Sequence, residues 1–199
     1  MKPFISFVCN QHKVVKKFFS PFHLFTLLLF PLFFSSCSEE EKTYSDFHPN
    51  LTIDNATHLD ATLATAMDIA SPGVWCHIST TMRGGAYYFI FNNNQGLTSE
   101  SIFNAIDSRQ ESQRHVGMYN GIIIGFSIFG DGFYAYDAQC PDCFDYLSLP
   151  LRNYPLTLSG IGKATCNHCG RTFDLSQWPN GLTRYHATTS GPFGLLRVF

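Results

Sequence analysis

From Gly73 onward the chain is a series of short apolar runs separated by turn formers. "GAYYFIF" is followed by "NNNQG" and "GIIIGFSIF" by "GDG"; "FYAYDA", "LTLSGIG", "KATC", "GRTFDL", "RYHATT" and "LLRVF" come after. Runs of this length, rich in β-branched and aromatic residues, predict strands, and turns this closely spaced predict antiparallel pairing. The clearest hairpin signal is "IFGDGFYAY", where Asp131-Gly132 supplies permissive backbone between two strands. Before Gly73 the pattern differs. "THLDATLATAMDIAS" sets Leu59, Leu63, Met67 and Ile69 at helical spacing behind a Thr57 cap with Asp60 three residues on, and Ser71-Pro72-Gly73 ends that helix. Residues 38–56 are polar and predict a tether, so 38–72 reads as a tether with a short helix and 73–199 as the domain. "TSESIFNAIDSRQESQRHVG" lacks alternation and predicts a helix or a long loop. The fold class expected is mainly β, an antiparallel sandwich with one or two short helices. No internal repeat is present.

The first 37 residues form a separate region. Lys2, Lys13, Lys16 and Lys17 precede the apolar stretch "FFSPFHLFTLLLFPLFFSSC", which ends in small residues and Cys37. A basic n-region, an apolar h-region and a small-residue cleavage site make a targeting signal. The stretch resembles a bacterial lipoprotein signal, which implies that Cys37 becomes an acylated first residue and that the lipid bilayer is a partner. An uncleaved transmembrane anchor is the alternative; Pro21, Pro31 and the acidic "SEEEK" after Cys37 favour the lipoprotein signal. Glu39-Glu40-Glu41 also resembles the surface-export signal of Bacteroidetes lipoproteins, so the expected location is the cell envelope, lipid-anchored at the outer membrane, with an envelope protein as partner. All four of those lysines leave with the signal, and what remains of 13 Lys and Arg faces 15 Asp and Glu. The mature chain is acidic without a basic patch, which excludes nucleic acid as a partner class.

Seven cysteines are divided by that boundary. Cys9 lies in the signal, Cys37 is the lipidation candidate, and Cys76 stands alone as a small buried hydrophobe. The other four form two C-x-x-C pairs, Cys140/Cys143 and Cys166/Cys169, with residues 144–165 between them. A C-x-x-C knuckle converges two thiolates on one point, and two facing knuckles supply four soft ligands in tetrahedral array. Gly170 fits the positive φ that follows a knuckle. The pairs therefore predict a metal centre: structural Zn2+ first, with a [2Fe-2S] cluster or mononuclear Fe as alternatives. Disulfides remain open for an exported protein. Thioredoxin-type chemistry at "CPDC" lacks the helix it requires.

Around the pairs, "FYAYDAQCPDC", "ATCNHCGRTFDLSQWPNG" and "GPFGLLRVF" resemble a Rieske domain. Cys140-Pro141, Cys166, Gly170, Phe173-Asp174, Gly181 and Gly191-Pro192 follow the family pattern in order. The resemblance implies an antiparallel β-sandwich with a small metal-binding subdomain, and electron transfer as the family activity. Both imidazole ligands are replaced: Asp142, followed by Cys143, stands at the first and Cys169 at the second. The raised potential of a Rieske centre comes from two His on one iron, so that chemistry does not carry over. His168, inside the second knuckle, and Asp142 are secondary candidate ligands. Tyr134, Tyr136, Phe144, Tyr146, Phe173 and Trp178 surround the site in sequence. No nucleophile elbow, zincin or nucleotide-binding motif occurs, and His58, His77, His115 and His186 are scattered singly. Four thiolates would also saturate a metal, leaving no position for substrate or water.

Overall fold

The computed structural model describes residues 44–199. The signal reading, Cys9, Cys37 and the acidic run at 39–41 lie outside the described residues. No described helix is long and apolar enough to cross a membrane.

A six-stranded antiparallel sheet organises the domain. Its spatial order is β10 (Arg184–Tyr185), β6 (Phe133–Asp137), β5 (Ile122–Phe126), β2 (Trp75–Arg83), β3 (Ala86–Asn93) and β4 (Thr98–Ile102). Gly84 and Gly85, both at positive φ, close the β2–β3 hairpin in two residues. The "III" of β5 is explained by burial on both faces. Ile122 and Ile124 enter one core with Cys76, Ile78, Phe89 and Phe91; Ile123 enters a second with Trp75, Tyr134 and Tyr136. A strand covered on both sides needs no polar alternation.

The first face is covered by β1 (Leu51–Asp54), β12 (Leu195–Val198) and β11 (Ala187–Thr189), with β12 in the middle. The second is covered by β7 (Leu156–Ser159), β8 (Lys163–Cys166) and β9 (Thr172–Asp174), which carry Leu156, Ala164, Cys166 and Phe173 into the second core. The chain is thus a mainly β, antiparallel sandwich with a small region bearing the candidate metal ligands.

Several local expectations change. Residues 50–72 belong to the fold: β1 pairs with β12 from Leu51↔Val198 to Asp54↔Leu195, and Leu51 and Ile53 are fully buried. The single helix behind Thr57 is two, α1 (Asn55–His58) and α2 (Ala61–Ala66). Asp54 caps α1 and Asp60 caps α2, accepting from Leu63 N at 2.9 Å, while Leu59 between them sits at φ +53°. That break changes the phase, so Leu63 and Met67 are buried but Leu59 and Ile69 are exposed. The 98–117 region contains edge strand β4 and a third helix, α3 (Ala105–Gln110), with an Asn104/Asp107 capping box. Three short helices therefore replace the one or two expected. The 127–132 loop closes the β5–β6 hairpin in six residues, with Ser127 N donating to Gly132 O at 3.2 Å.

Cys76 is fully buried as expected, and burial pushes its thiol pKa far up. His77, its neighbour on β2, is held neutral by burial, which lowers its pKa to about 4 from 6.5. The unfolded chain binds a proton at His77 before the folded chain does. Stability from this group is complete above the unfolded pKa and declines as pH falls from about 6.5 to about 4, with a slope of at most about 1.4 kcal/mol per unit. We expect His77→Gln to melt with a shallower acid dependence across that window in calorimetric scans. Parallel curves for variant and wild type would contradict the assignment.

Candidate metal centre

The first knuckle leaves β6 and is tied down before its first ligand. Gln139 N donates to Asp137 Oδ1 at 2.7 Å, its Nε2 to Asn153 Oδ1 at 2.8 Å, and its Oε1 accepts from Tyr154 N at 2.8 Å. Cys140 N then donates to Tyr154 O at 2.9 Å, and Cys143 N and Phe144 N turn back onto Cys140 O at 3.2 and 2.9 Å. The second knuckle is the β8–β9 connection. Cys166 N donates to Arg171 O and Gly170 N to Cys166 O, both at 2.9 Å. Gly170 has φ +75° and open space where a Cβ would stand, so its requirement is conformational, as the motif predicts. The register Leu156↔Cys166 brings the strand returning from the first loop alongside the second knuckle.

All four sulfurs converge. The Sγ atoms of Cys140, Cys143, Cys166 and Cys169 lie within 4.8 Å of one another, with Cys140–Cys169 and Cys143–Cys166 each at 3.8 Å. Sulfurs about 2.3 Å from a central ion in a tetrahedron are about 3.8 Å apart, so the set is sized for one metal ion. A disulfide requires about 2.05 Å between sulfurs, and these cysteines are free thiols. A [2Fe-2S] cluster would separate two thiolate pairs by the width of an iron–sulfide rhomb, which demands a wider arrangement. Cys140 and Cys166 are buried, Cys143 is half-buried and Cys169 is exposed, so one vertex meets solvent.

Charge distribution within the four is uneven. Burial opposes ionisation of Cys166, but N–H groups of Cys169 and His168 and the thiols of Cys140 and Cys169 bring its pKa down to about 7. Burial raises Cys140 to about 11, against the pull of the Asp142 N–H. Partial burial and the three neighbouring sulfurs push Cys143 up. Once Cys166 ionises, further thiolates are costly unless a cation joins them, which gives the site its demand for positive charge.

Two residues weighed as ligands stand beside the set. His168 Nδ1 is 3.4 Å from Cys143 Sγ, with its ring against Tyr154 at 4.6 Å. Asp142 pairs with Arg171 at 2.5 Å, linking one knuckle to the other, and Arg171 lies over Phe173. Of the aromatic residues near the pairs in sequence, Tyr134, Tyr136 and Phe173 form the core beneath the site. Phe144 meets Tyr119, Tyr146 meets Phe47, and Trp178 packs on Arg184.

Two polar clusters are not legible from spacing. His58 is not isolated: its Nδ1 is 2.7 Å from Ser101 Oγ and its Nε2 is 3.1 Å from Asp107 Oδ2, with Arg114 also against Asp107. The His58 and Asp107 side chains are 2% and 5% exposed, and the group joins α1, β4 and α3 as a buried clamp. Asp137, buried at the end of β6, accepts from Met118 N, Gln139 N and Tyr185 Oη.

Comparison with known proteins yields no match: no family model, curated protein or solved structure matches the chain.

Proposed function

We propose that Cys140, Cys143, Cys166 and Cys169 hold one Zn2+ as a structural staple in a Rieske-like domain, carried by an envelope lipoprotein anchored to the lipid bilayer through acylated Cys37. Its role is binding or assembly with another envelope protein, without turnover. The observation that carries the metal assignment is the convergence of four Sγ atoms within 4.8 Å, on the scale of a single ion. Zinc suits the set because four thiolates saturate it and it needs no cluster assembly. The Rieske-like reading is supported by the motif order and by the placement of both ligand loops beside a separate small sheet, β7–β8–β9.

The rival reading is electron transfer through a [2Fe-2S] cluster serving an envelope oxidoreductase. It is favoured by the "GRTFDL" and "GPFG" motifs and opposed by the narrow sulfur spacing. Mononuclear Fe fits that spacing equally and is distinguished by its colour. Metal analysis of the purified protein is expected to return one zinc per chain in a colourless sample. Visible absorption with two irons and inorganic sulfide per chain would overturn the zinc assignment, and two intact disulfides would overturn both readings.

A further inference from the structure

Four thiolates around one divalent ion carry a surplus of negative charge, and a partly buried site tolerates it only where hydrogen-bond donors meet the sulfurs. The backbone supplies donors to the two buried ligands. The N–H groups of His168 and Cys169 turn toward Cys166, and that of Asp142 turns toward Cys140. Cys143, half-buried at the end of the first knuckle, meets a side chain: His168 Nδ1 lies 3.4 Å from its Sγ.

His168 belongs to the second knuckle, so this contact crosses from one ligand loop to the other. The ring is held where it stands. It packs on Tyr154 with centroids 4.6 Å apart, and Tyr154 is itself fixed to the first knuckle by Gln139 Oε1 and the Cys140 N–H. Asn167, one residue earlier, donates its amide to Thr157 Oγ1 at 3.0 Å, which ties the second loop to β7. The nearest cation in that loop is occupied, since Arg171 pairs with Asp142 and lies over Phe173. The four sulfurs form a set within 4.8 Å of one another that does not include His168, so its nitrogen faces a ligand and not the position of the ion.

A sulfur bound to metal has no proton to give, so the hydrogen of this N···S contact sits on Nδ1. We infer that His168 is a positioning residue of the metal centre: its Nδ1–H donates across the knuckles to Cys143 Sγ, draws charge from that thiolate and holds it on the ion. The inference rests on the single-metal reading above. It gives His168 a kinetic task, slowing loss of the ion past Cys143 and Cys169, the two less buried vertices.

The test uses the full chain loaded either with zinc or with cobalt(II), whose sulfur-to-metal charge-transfer absorption reports the electron density on its ligands. His168→Phe keeps a ring for Tyr154 and removes the donor. Its charge-transfer band is expected to move to longer wavelength, because a thiolate without the hydrogen bond gives up an electron more readily. Zinc transfer to a chelator is expected to run about tenfold faster, the lower end of what loss of an outer-shell partner costs in metal affinity. His168→Asn, whose amide nitrogen takes the place of Nδ1, is expected to restore both readouts toward wild type. His168→Ala is expected to behave as His168→Phe does, which covers the case in which the larger ring folds poorly. All three variants are expected to retain one metal per chain. Wild-type spectra and transfer rates in His168→Phe and His168→Ala overturn the inference while leaving the metal centre standing. Loss of stoichiometric metal from those variants makes His168 a ligand and overturns it as well. A wild-type chain that binds neither zinc nor cobalt at one per chain overturns the single-metal reading and removes this inference with it.

Discussion

Replacing Cys166 with Ser is expected to abolish metal retention and to lower the melting temperature by more than 10 °C or remove the cooperative transition. Cys166 is fully buried at the end of β8, its Sγ is 3.8 Å from that of Cys143, and of the three thiols of the site with shifted pKa it alone is lowered, to about 7. A serine hydroxyl does not ionise there and is a poor partner for a soft ion. Structural zinc contributes apparent binding energies of ~10–16 kcal/mol to small domains, comparable to the whole stability of ~5–15 kcal/mol. Because the first core contains none of the four ligands, only part of that is felt globally. A loss of about 5 kcal/mol, at ~2–4 °C per kcal/mol for this size, corresponds to about 10–20 °C, in line with the stated shift. Cys169→Ser, at the exposed vertex, is expected to do less, and Cys76→Ala should leave metal content unchanged. A metal-free Cys166→Ser protein that melts with the wild type would show that the centre is no staple.

Asp137→Ala carries the second-largest expected effect. The carboxylate is 1% exposed; Oδ2 accepts from Met118 N and Tyr185 Oη at 2.6 Å each, and Oδ1 from Gln139 N at 2.7 Å. Removing it leaves two buried donors, Gln139 N and Tyr185 Oη, and the half-buried Met118 N without an acceptor, at ~1–3 kcal/mol apiece with partial relief from relaxation, so a loss of about 3–5 kcal/mol is expected in denaturant unfolding. The effect also reaches the metal site. Gln139 directly precedes Cys140, and releasing its N–H loosens the first knuckle, so metal transfer to a chelator should become faster than in wild type. Tyr185→Phe removes one of the three donors and is expected to cost about 1 kcal/mol. Equal costs for the two variants would refute this account of Asp137.

What was legible from sequence follows from how each element is stabilised. The four cysteines were readable because a knuckle is local: two ligands three residues apart and a glycine after them define its geometry without reference to the rest of the chain. In the central sheet, β3, β5 and β6 were readable from their β-branched and aromatic runs, as in Ile122–Ile124, whereas β2 (Trp75–Arg83) was not, because His77, Ser79, Thr80 and Thr81 interrupt its apolar positions. β4 was not, since an edge strand exposing Thr98, Glu100 and Ile102 has no apolar face to alternate. β1 was hidden among polar neighbours, and two buried positions are too few to show a period. The break at Leu59 depends on the side chain of Asp60 competing for a helix start, which apolar spacing does not register. The His58–Ser101–Asp107 clamp joins residues more than forty positions apart, and buried polar groups have no period to read.

β1 has a single strand partner, β12, which lies at the far end of the described chain. A chain delivered N-terminus first, whether from a ribosome or through a translocation pore, therefore presents Leu51 and Ile53 long before Leu196 and Val198 arrive to cover them. The first core cannot close around α2 in the interval, and contacts of such sequence separation form slowly. The architecture thus favours a late folding commitment, because the β1–β12 pairing cannot form until Leu195–Val198 has emerged. During that interval the incomplete β1–β12–β11 layer is the place where a holding chaperone would have the most exposed apolar surface to shield.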